Sequence, residues 1–532
     1  MGCIPSKDSS GGAVTPGGGG ADDSAKKKAA NKRANLEGEG DDNESQKRQV
    51  AFTRRSSNYT RSVKQLVNEG LVLQPEFNGA SGTSDRKGVL TKEPLPTTMS
   101  GSGRDSMRVQ SHDTKSSRGE KMSMEELMQV SDEERSNRRA DMKCTFRHLS
   151  SYPDLNKMFS ETEVKVEDLT WDLDCFRQDR NEQKWQINAT LAMFHSLGLL
   201  KRYDISTESL VYFLLTVKLN YNDMAFHNWL HAWSVMHASW LMISAPDVGE
   251  CLTEGDKLAI MLAAVCHDLD HPGVNNDFLA KSKDPLSERY ATPILERHHL
   301  AMTMDILCDS DQRVKVVHGL DSEKHKELMV MIEEAIMATD MGVHKSICEE
   351  LQVRAERVAQ AAAAGTPLKE RSFSRDSFED RVFLVRSIVH TADLSGQAMP
   401  KEVAYKFGAG VLTEFHHQYC KEAQLSLPLS GWMKDLDLAL GQAKSQLGFI
   451  TFVVLPLWAS MGTIFTSLKP QVDRVQSRME EIDFDNLDKW GGFVRGLQPN
   501  PYKGGSLDGI IPEPAKDEKE SAAASGGGGG GG

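Results

Sequence analysis

Residues 256–272 read Asp-Lys-Leu-Ala-Ile-Met-Leu-Ala-Ala-Val-Cys-His-Asp-Leu-Asp-His-Pro. Residues 258–266 are apolar throughout, the pattern of a helix buried on all sides. His267, Asp268, Asp270 and His271 follow almost without interruption, and Pro272 is expected to stop the helix. Polar groups this dense at the end of a buried helix are costly unless they are paired or bound to a metal.

The same grammar extends outward. Apolar residues recur at helical spacing from Trp171 to about Gly496, and strand signals are weak. Residues 204–219, 256–266, 325–338 and 380–391 read as amphipathic or buried helices. No repeat of 20–50 residues is present. The expectation is one all-α domain over residues 141–500. Residues 354–378 should be a surface insertion, because Ala-rich sequence there runs into Lys369-Glu-Arg-Ser-Phe-Ser374-Arg375. Residues 445–468 carry no charge, long enough to raise a membrane span. Gln446, Thr451, Pro456, Ser460 and Thr463 interrupt that run and favour a buried core helix instead.

Composition bounds the ends. Of 532 residues, 26% are charged and 39% apolar, and the 43 glycines concentrate at the termini. Residues 1–140 are rich in Gly, Ser, Asp, Lys and Asn and are expected to be mostly disordered. Residues 501–532 read as a flexible Gly-rich tail. The first 140 residues hold 23 Lys and Arg against 20 Asp and Glu, and the remainder 40 against 56. An acidic domain without a basic stripe is a poor nucleic-acid binder, so an anionic substrate needs positive charge supplied locally. The 8 cysteines form no Cys-x-x-Cys pair, and no secretory h-region opens the chain, which points to a reduced, cytosolic protein.

Two further clusters join the first. His227-Asn-Trp-Leu-His231 places histidines at i and i+4, the spacing that puts them on one helical face. His390-Thr-Ala-Asp393 ends another apolar run, residues 382–389. Imidazole and carboxylate suit Zn²⁺, Mg²⁺ or Mn²⁺, and two His with two Asp leave positions open for water. His227, His231, His267, Asp268 and Asp393 therefore read as a metal-dependent phosphohydrolase site.

Six ordered motifs across about 225 residues resemble the class I 3′,5′-cyclic nucleotide phosphodiesterases. They are His227-Asn228 with His231-Ala232 and Val235; His267-Asp268 with His271-Pro272-Gly273; Leu295-Glu296 with His298-His299; Thr339-Asp340-Met341; Ala392-Asp393-Leu394-Ser395; and Gln446 with Gly448-Phe449. The resemblance implies a compact helical catalytic domain that hydrolyses cAMP, cGMP or both to the 5′-monophosphate. It implies that His231, His267, Asp268 and Asp393 hold Zn²⁺ and that Asp268 bridges to Mg²⁺ or Mn²⁺. His271, Glu296 and Thr339 would hold the second ion's waters. A bridging hydroxide would attack the phosphate while His227 protonates O3′. Gln446 would read the base, Phe449 and Val411 would clamp it, and Asn276 would join the nucleotide pocket. Phe226 stands where the family commonly has Tyr, and Gly396 where many members have Asn. Alternatives are another metal phosphohydrolase with a His-Asp helix, or a silent nucleotide-binding scaffold. The purine-clamp residues speak against the first, and the complete ligand set against the second.

Met1-Gly2-Cys3-Ile4-Pro5-Ser6 fits N-myristoylation at Gly2 with palmitoylation at Cys3. One myristoyl chain binds with a constant of only about 10⁴ M⁻¹, so a second anchor is needed. The expected location is the cytoplasmic face of a membrane, plasma or ciliary, with the enzyme peripheral and lipid-anchored. Arg54-Arg-Ser-Ser57 and Arg371-Ser-Phe-Ser374 resemble basophilic kinase sites.

Overall fold

The computed structural model describes residues 158–177, 183–308, 320–366 and 373–487, with Met142, Leu149, Val316 and Val317. All belong to one unit, Leu73–Gly532. The expectations for residues 1–140, the tail at 501–532, Gly2, Cys3 and Ser57 lie outside the described residues.

Among the described residues there is no strand. The longer helices are α1 (Gln183–Ser196), α2 (Thr207–Leu219), α3 (Trp229–Ser244), α4 (Glu254–Cys266), α5 (Asn276–Ser282), α6 (Ile294–Leu307) and α7 (Ser322–Met337). After them come α8 (His344–Ala363), α9 (Phe378–Asp393), α10 (Lys401–Gln424), α11 (Ala439–Phe449), α12 (Leu455–Ile464) and α13 (Lys469–Glu480).

The stretch quoted above is α4, and it is the axis of the fold. Residues 258–266 are all 0% exposed. Each fully buried Leu, Ile, Val or Met there contributes about 1.5–3 kcal/mol of transfer free energy. α4 packs on α3, α7 and α9 at once, which is why no face of it is polar. Its start is fixed by a capping box, in which Thr253 Oγ1 accepts from Asp256 N while Asp256 Oδ2 accepts from Thr253 N. Asp256 is 1% exposed, and its other oxygen accepts from Arg381 of α9 at 2.7 Å. Arg381 also donates to Glu327 of α7 at 2.6 Å. One ionic knot thus ties the entrances of three helices.

The exit of α4 differs from expectation in its cause and not in its place. The helix ends at Cys266, with His267 as its C-cap, well before Pro272. Two left-handed residues, Asp270 at φ 59° and Gly273 at φ 70°, turn the chain instead. The insertion is also shorter than expected. α8 runs on to Ala363, so residues 354–363 are helical. Arg354 lies over the rings of Phe373 (4.5 Å) and Phe383 (5.1 Å) and donates to Asp380 at 2.8 Å. Phe373 is buried. That segment is therefore fastened to the core at both ends.

Residues 439–464 are long and apolar enough to cross a membrane, yet 67% of the most apolar window is buried inside the protein. They form α11, a π-helical turn at Ile450–Val454, and α12. α12 packs between α8 and α13, with Trp458 fully buried, so this is the core helix that its polar interruptions favour.

Asp256→Ala should cost about 1–3 kcal/mol, because it removes one of the two carboxylates on Arg381 and half of the capping box. Urea denaturation would measure the loss; a change below about 1 kcal/mol would mean that the knot contributes little.

Candidate metal centre and active site

α3 and α9 present their site residues from opposite ends, and α4 delivers His267 and Asp268 between them. His231 sits in the first turn of α3, Asp393 is the last residue of α9, and His267 caps α4. Their side chains converge. His231 Nε2 lies 3.3 Å from Asp268 Oδ2 and 3.1 Å from Asp393 Oδ1. His267 Nε2 lies 3.0 Å and 3.3 Å from the same two atoms. All four donors fall within 4.8 Å of one another.

The chemistry of this set fits a cation. His267 Nδ1 donates to the Ala264 carbonyl at 2.8 Å, and a carbonyl can only accept. In the neutral ring Nε2 is then a lone pair aimed at carboxylate lone pairs. Both Nε2 atoms are buried and have no hydrogen-bond partner. Such an arrangement repels itself unless positive charge sits at its centre. Ligands about 2.0–2.1 Å from a shared ion lie roughly 3 Å apart, close to the separations found here.

Around this cluster the other expected residues take distinct places. His271 is buried, and its Nδ1 accepts from Gly273 N at 3.0 Å. Burial, and then the neighbouring His227 charge, keep the His271 ring well below its ordinary pKa. Glu296 is buried and accepts from Asn276 Nδ2 at 2.9 Å. Burial, followed by Asp340, pushes its carboxyl up to about 8. Asn276 Oδ1 accepts from Leu295 N, so both ends of that amide position Glu296 and its helix. Thr339 is buried, with its hydroxyl donating to Ile336 O.

His227 corrects the helical reading of the His pair. α3 begins at Trp229, capped by Asn228, whose side-chain oxygen accepts from Leu230 N and His231 N. His227 therefore belongs to the preceding loop, its ring 5.9 Å from that of His231 and stacked on His271 at 3.8 Å. Its partner is Glu414 of α10, which sequence reasoning missed. The Glu414 carboxylate accepts from His227 Nδ1 at 2.5 Å, from His227 N at 2.9 Å and from Phe226 N at 2.6 Å. Burial pulls the His227 imidazolium down, but Glu414 more than offsets it, and the pKa stands at about 9. Nδ1 is thereby occupied, and Nε2 carries the proton that can be given away.

Tyr221, Asn222 and Asp270 were missed as well. Tyr221 Oη accepts from Asp268 N and donates to Val265 O, while Asn222 donates to Asp270 and to His271 O. They hold the turn that carries Asp268 and His271.

Gln446 is buried in α11, and its Nε2 has no hydrogen-bond partner. Phe449 is half-buried against an apolar cluster that includes Ala398, Ile450 and Trp458, so the turn following Asp393 and the end of α11 border the same cluster. Val411 joins a separate cluster with Leu412, Met433 and Leu436. At Gly396 a Cβ would meet Phe407 at 3.5 Å, ordinary contact, so sterics do not demand glycine there.

Residues 226–475 match the family model described as 3′5′-cyclic nucleotide phosphodiesterase. A 3′,5′-cyclic-AMP phosphodiesterase 4C from Mus musculus is 31% identical over 297 residues, which are 55% of this chain and 42% of that protein. A probable 3′,5′-cyclic-AMP phosphodiesterase, pde-4, from Caenorhabditis elegans is 27% identical over 58% of this chain and 44% of its own length. The chain thus spans about half the length of the curated relatives it matches. The solved phosphodiesterase domain of the RhoPDE fusion protein from the choanoflagellate Salpingoeca rosetta is 28% identical with a TM-score of 0.54, covering 63% of this chain and 98% of that one.

Two outcomes follow from this geometry. Asp393→Ala should lower divalent cation bound at the cluster by an order of magnitude or more, read by metal analysis after dialysis; full occupancy would contradict the ligand set. The folded pKa of His227, about 9, exceeds the ordinary 6.5, so its contribution to stability is complete below about pH 6.5 and lost as pH rises through 9. Glu414→Gln should bring the His227 titration, followed by NMR, down by more than about one unit, and an unchanged value would show that Glu414 does not set it.

Proposed function

We propose, from the match of residues 226–475 to the family model described as 3′5′-cyclic nucleotide phosphodiesterase, that the chain belongs to that family and hydrolyses cyclic nucleotide to the 5′-monophosphate. The observation that carries the proposal is a proton donor, His227, held by a buried carboxylate beside a four-donor cation cluster.

His231, His267, Asp268 and Asp393 would hold the first divalent cation, Zn²⁺ by ligand type, and Asp268 with His271 and His299 offers donors toward a second, Mg²⁺ or Mn²⁺. Bound cations supply Lewis-acid chemistry, neutralising phosphate oxygens and making water a nucleophile near neutral pH. The protein does the rest. Glu414 keeps His227 protonated, and His227 Nε2 delivers that proton to O3′ as the P–O3′ bond breaks. A water oxygen forms the new P–O bond, and its released proton restores His227. Water therefore ends on phosphorus and the proton on O3′.

The purine would lie between Phe449 and the Val411 side of the pocket, with Gln446 facing its edge. An amide can donate and accept, and no partner holds Gln446 Nε2 in one orientation. That favours turnover of both cyclic nucleotides, although the relatives named above carry cyclic AMP in their names. The Met1-Gly2-Cys3 start supports dual acylation and a site of action at the cytoplasmic face of a membrane. Ser374 is exposed, its backbone N–H donating to Asp380, and it remains a candidate for phosphorylation together with Ser57.

Purified protein supplied with Zn²⁺ and Mg²⁺ should convert cAMP and cGMP to their 5′-monophosphates, with cAMP favoured. Turnover of neither would overturn the function. Gly2→Ala should move the protein from the membrane pellet to the supernatant; unchanged sedimentation would refute acylation as the anchor.

A further inference from the structure

One face of α10 runs along the loop that carries His227. Phe407, Gly410, Glu414 and Gln418 recur at helical spacing on it. Phe407 lies 6.2 Å from Phe226, ring to ring. Glu414 takes the two backbone N–H groups of Phe226 and His227. Gln418 takes Asn275 N at 2.9 Å and returns a bond to Asn275 Oδ1 at 3.0 Å. Between these contacts sits Gly410, one turn before Glu414. A Cβ at Gly410 would stand 2.6 Å from Ala225 O, 3.4 Å from Ala225 C and 3.5 Å from Phe226 Cα. Those neighbours are backbone and cannot rotate away as a side chain could.

We propose that Gly410 is a positioning residue for the proton donor: its missing side chain lets α10 and the 225–227 loop meet backbone to backbone, and only at that separation does Glu414 reach His227. The Glu414 carboxylate reaches the loop through bonds of 2.5–2.9 Å, so a retreat of about an ångström breaks all three. The reason for glycine is the close approach itself. Gly410 lies mid-helix without a left-handed φ, where glycine is otherwise unfavourable. Alanine there would favour the helix, and so the loop must yield. His227 would shift relative to O3′ while the cation cluster, built on α3, α4 and α9, stays in place.

This inference rests on His227 as proton donor in the proposed reaction. Gly410→Ala should lower kcat for cyclic nucleotide by about 10- to 100-fold, with KM and bound Zn²⁺ unchanged within about twofold. In a Glu414→Ala background the same substitution should cost less than about twofold, because the contact it serves is already gone. Gly431→Ala, whose Cβ would meet nothing within 4 Å, is the control and should match the unaltered protein. Equal kcat for Gly410→Ala and the unaltered protein would overturn the inference and leave the proposed function standing. A loss that multiplies unchanged in the Glu414→Ala background, or loss of the folded protein, would also overturn it by showing a general packing role. Absence of turnover in the unaltered protein would instead remove the function and this inference together.

Discussion

Two imidazole nitrogens and two carboxylate oxygens face one point inside this protein, and the fold is arranged around that demand. Buried lone pairs aimed at one another are unfavourable without a cation between them. Satisfying them requires three helix ends to meet, because each contributes only one or two of the four donors. α4 solves the geometric part of the problem. It is apolar on every side, so α3, α7 and α9 can all lie against it, and its exit brings His267 and Asp268 to the junction. The Asp256–Arg381–Glu327 knot at its entrance registers α4 with α7 and α9 at the end away from the site.

A different element holds His227 in place. α10 comes late in the chain and carries no cluster donor, yet Glu414 binds the His227 ring and two backbone N–H groups at once. The cluster and the acid are thus held by separate parts of the scaffold. The tight backbone approach at Gly410 belongs to the second of these supports.

Much of this was legible in the sequence, for identifiable reasons. The apolar run at 258–266 could belong only to a buried helix, and the polar residues clustered at the ends of apolar runs are the residues that meet in space. Spacing misled at His227 because an i,i+4 pair looks helical whether or not a cap intervenes. Asn228 was the available sign, since Asn before an apolar periodic run is an N-cap signal. Pro272 misled because the helix ends at Cys266 and the chain already turns at left-handed Asp270 before reaching the proline. The Ala-rich stretch after Arg354 proved helical, its composition fitting helix as well as loop, and nothing local announced that Arg354 would cover Phe373. Glu414 was invisible for a stronger reason: 187 residues separate it from His227, and an acidic residue on an amphipathic helix reads as solvated surface.

In the proposed reaction water oxygen goes to phosphorus and the His227 proton to O3′. Hydrolysis of cyclic nucleotide in ¹⁸O-labelled water, with the product analysed by mass spectrometry, reports which bond breaks. The expected product is the 5′-monophosphate alone, carrying one ¹⁸O on phosphorus and none on the ribose 3′-hydroxyl. A 3′-monophosphate product, or label on the ribose oxygen, would contradict it.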